Sequence, residues 1–358
     1  MLDMKYKILY LEDLKAESMV SDFRDRDIEL DVNHVDSYED AMKTLSKPGY
    51  DAYLMDYRLS QGGGYLDAPA FAAFLRTENK KGVSLQTPIF MITNEKGLHI
   101  LRKDNENKQD LFDMTLLKDD YRNHKDWIIN SMVAYIEAYR NITFCKFAVE
   151  KVLKLSKSEI KEYIDSRLLK ELNQAKMDKD IYRYLKLIAQ YLLGSPCVLV
   201  NTQDVAARLG VDIDKSVEEF NVFLKELDDC RYRGVLGEVA DRWWHPRVMN
   251  KWNEISPDQP LRMTEARQRV EILNKEYKTS LKSAEPIKEC ESTCYWTTCV
   301  ALKRPLDPAE GFVCNYRYKM PWEENEYISL VGALEYPDFQ KLLSESDKRE
   351  IRSYGKGK

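Results

Sequence analysis

The chain has 358 residues, 44% hydrophobic and 32% charged, with a formal net charge of -5. That balance suits a soluble protein of two or three domains and excludes a global electrostatic pull toward nucleic acid or anionic membrane. No apolar run approaches the roughly 20 residues that span a bilayer. The opening stretch MLDMKYKILYLED lacks a signal-peptide layout, because its apolar run is short and carboxylates interrupt it. A cytoplasmic location is expected. The chain has seven cysteines, and Cys145, Cys197 and Cys230 lie far apart in helical context. This favours reduced thiols over a disulfide framework.

In chain order, Lys7–Leu11 is a short apolar run closed by Glu12 and Asp13. A helix with Met19, Val20 and Phe23 on one side follows, and Asp31–Val35 reads as a weaker strand. Ser37 and Asp40 have capping-box spacing before Ala41, Met42 and Leu45, and Pro48-Gly49 ends that helix. Asp51–Met55 is a buried strand running into Asp56, followed by a loop with Gly62, Gly63 and Gly64. Phe71, Phe74 and Leu75 mark another helix. Pro88–Ile92 is a fourth strand ending at Thr93, and Met114–Leu117 a fifth ending at Lys118. Trp127, Ile128 and Ile129 open the next helix. Short apolar strands alternating with helices imply a parallel sheet covered on both faces.

In such sheets a site forms beyond the carboxyl ends of the strands. Here those ends carry Glu12, Asp13, Asp56, Thr93 and Lys118. Clustered acids call for a hard divalent cation, and Mg2+ prefers oxygen ligands. Asp56 then has the chemistry of a carboxylate nucleophile toward a phosphoryl group, with Lys118 neutralising charge and Thr93 hydrogen-bonding an oxygen.

Glu12-Asp13, Asp56, Thr93 and Lys118, together with the stretch MDYRLSQGG, resemble the receiver domain of two-component response regulators over residues 4–140. The resemblance implies a flavodoxin-like fold and phosphorylation of Asp56 by a histidine kinase or phosphotransfer protein. It also implies Mg2+ held by Glu12, Asp13, Asp56 and the backbone carbonyl of Arg58, with Thr93 and Lys118 sensing the phosphate. Three positions depart from the family pattern. Asp119 replaces the usual proline after the lysine, Asn94 replaces a small residue after the threonine, and Thr115 replaces an aromatic three residues before the lysine.

Residues 122–195 read as consecutive helices, with a capping box at Ser156/Glu159 and a break at Gly194-Ser195-Pro196. The apolar stripes suit an intramolecular core and are also compatible with a homodimer seam. Residues 200–252 resemble a winged helix-turn-helix. Val205, Ala206 and Leu209 face a core, Gly210 closes the first helix, and Val217, Phe220, Phe223, Leu224 and Leu227 line the second. Tyr232–Val239 is expected to be a hairpin wing. Asp212–Asp229 holds Asp212, Asp214, Glu218, Glu219, Glu226, Asp228 and Asp229 against only Lys215 and Lys225. That charge disfavours DNA as a partner and favours protein contacts. Trp243, Trp244 and Trp252 are expected to pack in a core, with His245 a satisfied core histidine.

Ser256–Pro260 reads as a linker, and a charged helix begins at Thr264. Cys294–Leu302 and Phe312–Lys319 suggest strands joined by a turn around Pro305 and Pro308. Cys290, Cys294, Cys299 and Cys314 lack the Cys-x-x-Cys pair of a zinc knuckle, which favours thiols buried in a small β core over a zinc site. The expected plan is a receiver at 1–140, a helical stem and winged-helix-like region at 141–255, and an α+β module at 256–358. The expected role is a signalling protein that contacts a downstream protein. A DNA-binding regulator and an effector enzyme with its site in the last module are the alternatives.

Overall fold

The structure, a computed structural model, describes residues 5–12, 17–34, 37–57, 59, 68–80, 86–94, 111–315 and 319–355. The chain forms two compact units. One holds Met1–Ile160, Ser166–Leu187 and Gly234–Val239; the other holds Lys161–Asp165, Ile188–Arg233 and Ala240–Lys358.

The first unit is built on β1 (Tyr6–Glu12), β2 (Ile28–His34), β3 (Ala52–Asp56), β4 (Ile89–Thr93) and β5 (Met114–Leu117). All pairings are parallel and the order is β2-β1-β3-β4-β5, the flavodoxin-like arrangement. Every residue of β3 and β4 is buried, as expected of central strands covered on both faces. The period of two sorts the side chains. Ile8, Tyr10, Leu54, Phe90 and Ile92 pack with Phe23, Ile128, Ile129, Met132 and Ile136. Leu9, Leu11, Met55 and Met91 pack on the other face with Ala41, Leu45, Phe71 and Leu75. Helix α1 is Glu17–Arg24, α2 is Tyr38–Leu45 and α3 is Ala68–Lys80. Ser37 caps α2, its hydroxyl accepting from the Asp40 amide at 3.2 Å. The triple-glycine loop lies outside the described residues.

Residues Lys118–Phe144 are helical but are divided by the non-helical His124 (φ −135°, ψ 33°). The long helix follows that break, with Trp127 in its first turn and so close to the expected start. A short helix precedes it, starting directly from β5. Its charged first turn has no apolar period to read, but Asp119 and Asp120 there complement the helix dipole. Shorter helices follow at Lys157–Tyr163, Ser166–Met177 and Ile181–Ile188. The Ser156/Glu159 box is reciprocal, with bonds of 3.2 and 2.8 Å. Gln86, just before β4, clamps the last of these helices. Its amide donates to the Lys179 carbonyl at 2.6 Å and accepts from the Ile181 amide at 2.8 Å. Arg76 of α3 pairs with Asp113 at 2.7 Å and lies 3.8 Å from the centre of the Tyr182 ring.

In the second unit, Leu199–Val200 pairs antiparallel with Trp243–Trp244, and Arg231 bridges Trp243. Helices Thr202–Leu209 and Val217–Phe223 lie between them in sequence. The expected hairpin at Tyr232–Val239, of which Gly234–Val239 belongs to the first unit, does not form. This stretch is a series of turns, consistent with Gly234 and Gly237 interrupting any alternating apolar pattern. Gly210 ends the first helix at φ +77°, where a Cβ would come 2.6 Å from the Ala266 Cα. Trp243, Trp244 and Trp252 are buried. Residues 256–260 are held in place, since the Trp252 indole donates to the Gln259 carbonyl at 2.7 Å. The charged helix spans Ala266–Tyr277.

The C-terminal part has two small antiparallel pairs, Thr297–Thr298 with Pro305–Leu306 and Gly311–Cys314 with Glu326–Ser329. Pro305 is therefore in a strand and not in the turn, which falls at residues 300–303. Asp204 and Arg208 of the Thr202–Leu209 helix bond Thr298 at 2.8 Å and Glu324 at 2.6 Å, tying that helix to these strands. No described helix is long and apolar enough to cross a membrane.

Candidate functional site

The register of the sheet gathers the expected residues. Leu11 pairs with Met55, Asp56 with Ile92, and Thr93 with Leu117. Glu12, Asp56, Thr93 and Lys118 therefore follow one another across the carboxyl edge of four adjacent strands. Glu12, Asp56 and Thr93 are buried, at 3%, 8% and 2% exposure. The Lys118 ammonium bridges both acids, donating to Asp56 Oδ2 at 2.7 Å and to Glu12 Oε2 at 3.1 Å. Asp13 and Arg58, the other expected metal ligands, lie outside the described residues.

Tyr10 was not foreseen. Its hydroxyl donates to Glu12 Oε2, the oxygen that also receives Lys118. Strand alternation places residues i and i+2 on the same face, so this partnership was within reach of the sequence.

Burial pushes the Asp56 carboxyl up to about 6, against the pull of Lys118 and with the nearby Glu12 adding to the rise. Burial works against the Lys118 ammonium too, but its contacts with Asp56 and Glu12 outweigh this and raise its pKa. Two carboxylates facing one ammonium leave a surplus negative charge where water is scarce. Hard oxygen donors with that surplus fit Mg2+. The departures from the family pattern are visible as well. Asn94 is exposed after Thr93, Thr115 is buried within β5, and Asp119 sits in the first turn of the helix.

The other candidates behave differently. His245 lies edge-on to Trp296, with ring centres 5.1 Å apart, and its Nδ1 has no hydrogen-bond partner among the described residues. It is therefore not the satisfied histidine expected. Burial, aided by the Arg208 charge, drives its pKa down to about 2, so the imidazole stays neutral at ordinary pH. Cys299 and Cys314 are buried in the C-terminal core, and the Cys299 thiol lies 3.4 Å from the Ser329 hydroxyl. Burial pushes the Cys290 thiol up to about 11. Among the described residues, no group of three or more His, Cys, Asp or Glu side chains is placed to hold a metal ion.

No family model and no curated protein matches this chain. Among solved structures, it is similar to the receiver domain of a sensor histidine kinase from Pseudomonas aeruginosa with a magnesium ion coordinated in its active-site cleft. The identity is 24%, covering 37% of this chain and 98% of that one, with a TM-score of 0.28. A CheY-like response regulator receiver domain from Methylobacillus flagellatus is 20% identical, covering 36% and 98% of the two chains, with a TM-score of 0.28. The response regulator TrrA from Thermotoga maritima, in complex with Mg2+ and BeF, is 17% identical, covering 34% and 96%, with a TM-score of 0.26.

Proposed function

We propose that the chain is a response-regulator-like signalling protein whose Asp56 accepts a phosphoryl group from a histidine kinase or phosphotransfer protein. The observation that carries this reading is the Lys118 ammonium bridging Glu12 and Asp56 on the carboxyl edge of a flavodoxin-like sheet. An Asp56 carboxylate oxygen forms the new bond to phosphorus as the donor's phosphorus–nitrogen bond breaks. Lys118 then faces the added negative charge, and Thr93 hydrogen-bonds a phosphoryl oxygen. Glu12, Asp13, Asp56 and the Arg58 carbonyl would hold Mg2+. When bound, that ion neutralises charge on the transferred oxygens. Tyr10 keeps the Glu12 carboxylate oriented from within the core.

Residues 1–140 serve as the receiver, and output runs through protein contacts of the stem and winged-helix-like region at 141–255 and of the α+β module at 256–358. The winged-helix reading is supported by the order helix, strand, helix, helix, bridge and strand, with Leu199–Val200 and Arg231 both pairing with the Trp243–Trp244 strand. The same order favours a second reading, a DNA-binding regulator. The acid excess on its second helix weighs against this and toward protein contacts. An effector enzyme gains no support from His245, whose half-buried imidazole stays neutral at ordinary pH.

Incubation with acetyl phosphate and Mg2+, followed by intact-mass analysis, tests the proposal. The wild type is expected to gain one phosphoryl group and Asp56→Asn none. A wild type that stays unmodified, or an Asp56→Asn protein that is modified equally, refutes it.

A further inference from the structure

Tyr10 and Glu12 stand two positions apart at the end of β1, so both side chains leave the strand on one face. Tyr10 is 1% exposed and shares a core with Phe23, Leu54 and Phe90. Its hydroxyl donates to Glu12 Oε2. Lys118 donates to the same oxygen at 3.1 Å and to Asp56 Oδ2 at 2.7 Å. The two donors do different work. Lys118 is a point charge on a flexible stem, divided between two acids, and it neutralises the carboxylate that it holds. Tyr10 is a neutral donor on a rigid, buried ring. It fixes Glu12 without cancelling the charge that a cation needs. A glutamate side chain has substantial rotamer freedom, which must be given up before the carboxylate can act as a ligand.

We propose that Tyr10 is a positioning residue for the metal site, and that its hydroxyl sets how tightly Mg2+ is bound by holding Glu12 in place. The inference rests on the reading of Glu12 as a metal ligand in the proposed phosphoryl-transfer site. It deepens that reading by placing the control of cation affinity inside the core. Once Lys118 faces the added phosphoryl charge, Tyr10 stays on Glu12, so the buried carboxylate keeps a donor throughout the reaction.

The test is calorimetric titration of Mg2+ alone into the metal-free full chain, in wild type, Glu12→Gln, Tyr10→Phe and Tyr139→Phe. Tyr139→Phe is the structural control. It removes another buried tyrosine hydroxyl from another carboxylate, Asp113, which lies 2.8 Å away just before the start of β5. Hydrogen-bond partners of metal-binding side chains are typically worth about 10–100-fold in affinity, so Tyr10→Phe should weaken Mg2+ binding about tenfold. Glu12→Gln should weaken it at least as much, and Tyr139→Phe should leave it unchanged. Thermal unfolding in EDTA checks that each variant is folded. Wild-type affinity in Tyr10→Phe while Glu12→Gln is weakened, or equal weakening by Tyr10→Phe and Tyr139→Phe, overturns the role of Tyr10. A Tyr10→Phe chain with no cooperative melt assigns the hydroxyl to stability and overturns that role equally. A wild type that takes up no Mg2+, or a Glu12→Gln chain that binds it as well as wild type, overturns the metal-site reading itself.

Discussion

At the end of β3 the Asp56 carboxyl meets opposed demands. Burial and Glu12 favour its neutral form, while Lys118 favours the anion that can attack phosphorus. Lys118→Met leaves the two acids facing each other unneutralised. It should lower stability by about 2 kcal/mol in metal-free buffer, less than the loss from breaking a fully enclosed pair, because Lys118 is partly exposed. Added Mg2+ should restore part of this. Calorimetric melting in EDTA and in Mg2+ checks both, and an unchanged metal-free Tm would contradict the pairing. His245 sets a different test. Its folded-state pKa lies far below the ordinary histidine value, so the unfolded chain binds a proton that the folded chain refuses. Stability attributable to this group is therefore intact above pH 6.5 and falls as the pH drops, by about 2 kcal/mol at pH 5. His245→Leu should flatten that slope in urea titrations at the two pH values. An identical slope would mean that the ring is hydrated.

Among the elements, turns and clamps decide more than helix propensity. Gly210 combines a left-handed backbone with an approach to Ala266 too close for a Cβ. Gly210→Ala should therefore cost about 2–3 kcal/mol in urea unfolding of the second unit, through strain and overpacking together. Gln86 closes two backbone bonds at the start of the Ile181–Ile188 helix. Gln86→Ala should expose the Ile181 amide to faster hydrogen exchange and cost about 1–2 kcal/mol. Exchange at wild-type rates would show that water replaces the clamp. The strands were legible from the sequence because central parallel strands are apolar at nearly every position, as β3 and β4 are. The Ser37 and Ser156 caps were legible because a cap is a local signal. The short helix that starts at Lys118 was not, since its first turn is charged and β5 runs straight into it. The missing hairpin at 232–239 failed for a related reason: spaced glycines signal turns and strand interruptions alike. The Pro305–Leu306 strand was hidden because proline normally marks a turn and is tolerated only at edges like this one.

For the whole molecule, the sequence showed which residues would meet but not all of what surrounds them. Glu12, Asp56, Thr93 and Lys118 converge because parallel register brings strand ends together, a consequence of topology that needs no side-chain detail. The bonds of Tyr10 to Glu12 and of Arg76 to Asp113 depend on tertiary packing, and so do those of Asp204 and Arg208 to the C-terminal strands. The last two explain how a module with no recognisable motif is tied to the Thr202–Leu209 helix. The central claim is that a single aspartyl side chain carries the signal. Borohydride reduction of the acetyl-phosphate-treated protein, followed by peptide sequencing, tests it most directly, because an acyl phosphate is reduced to the alcohol and leaves homoserine in place of aspartate. Homoserine at position 56 alone is the expected result; homoserine elsewhere, or none in Mg2+-containing buffer, would contradict the account.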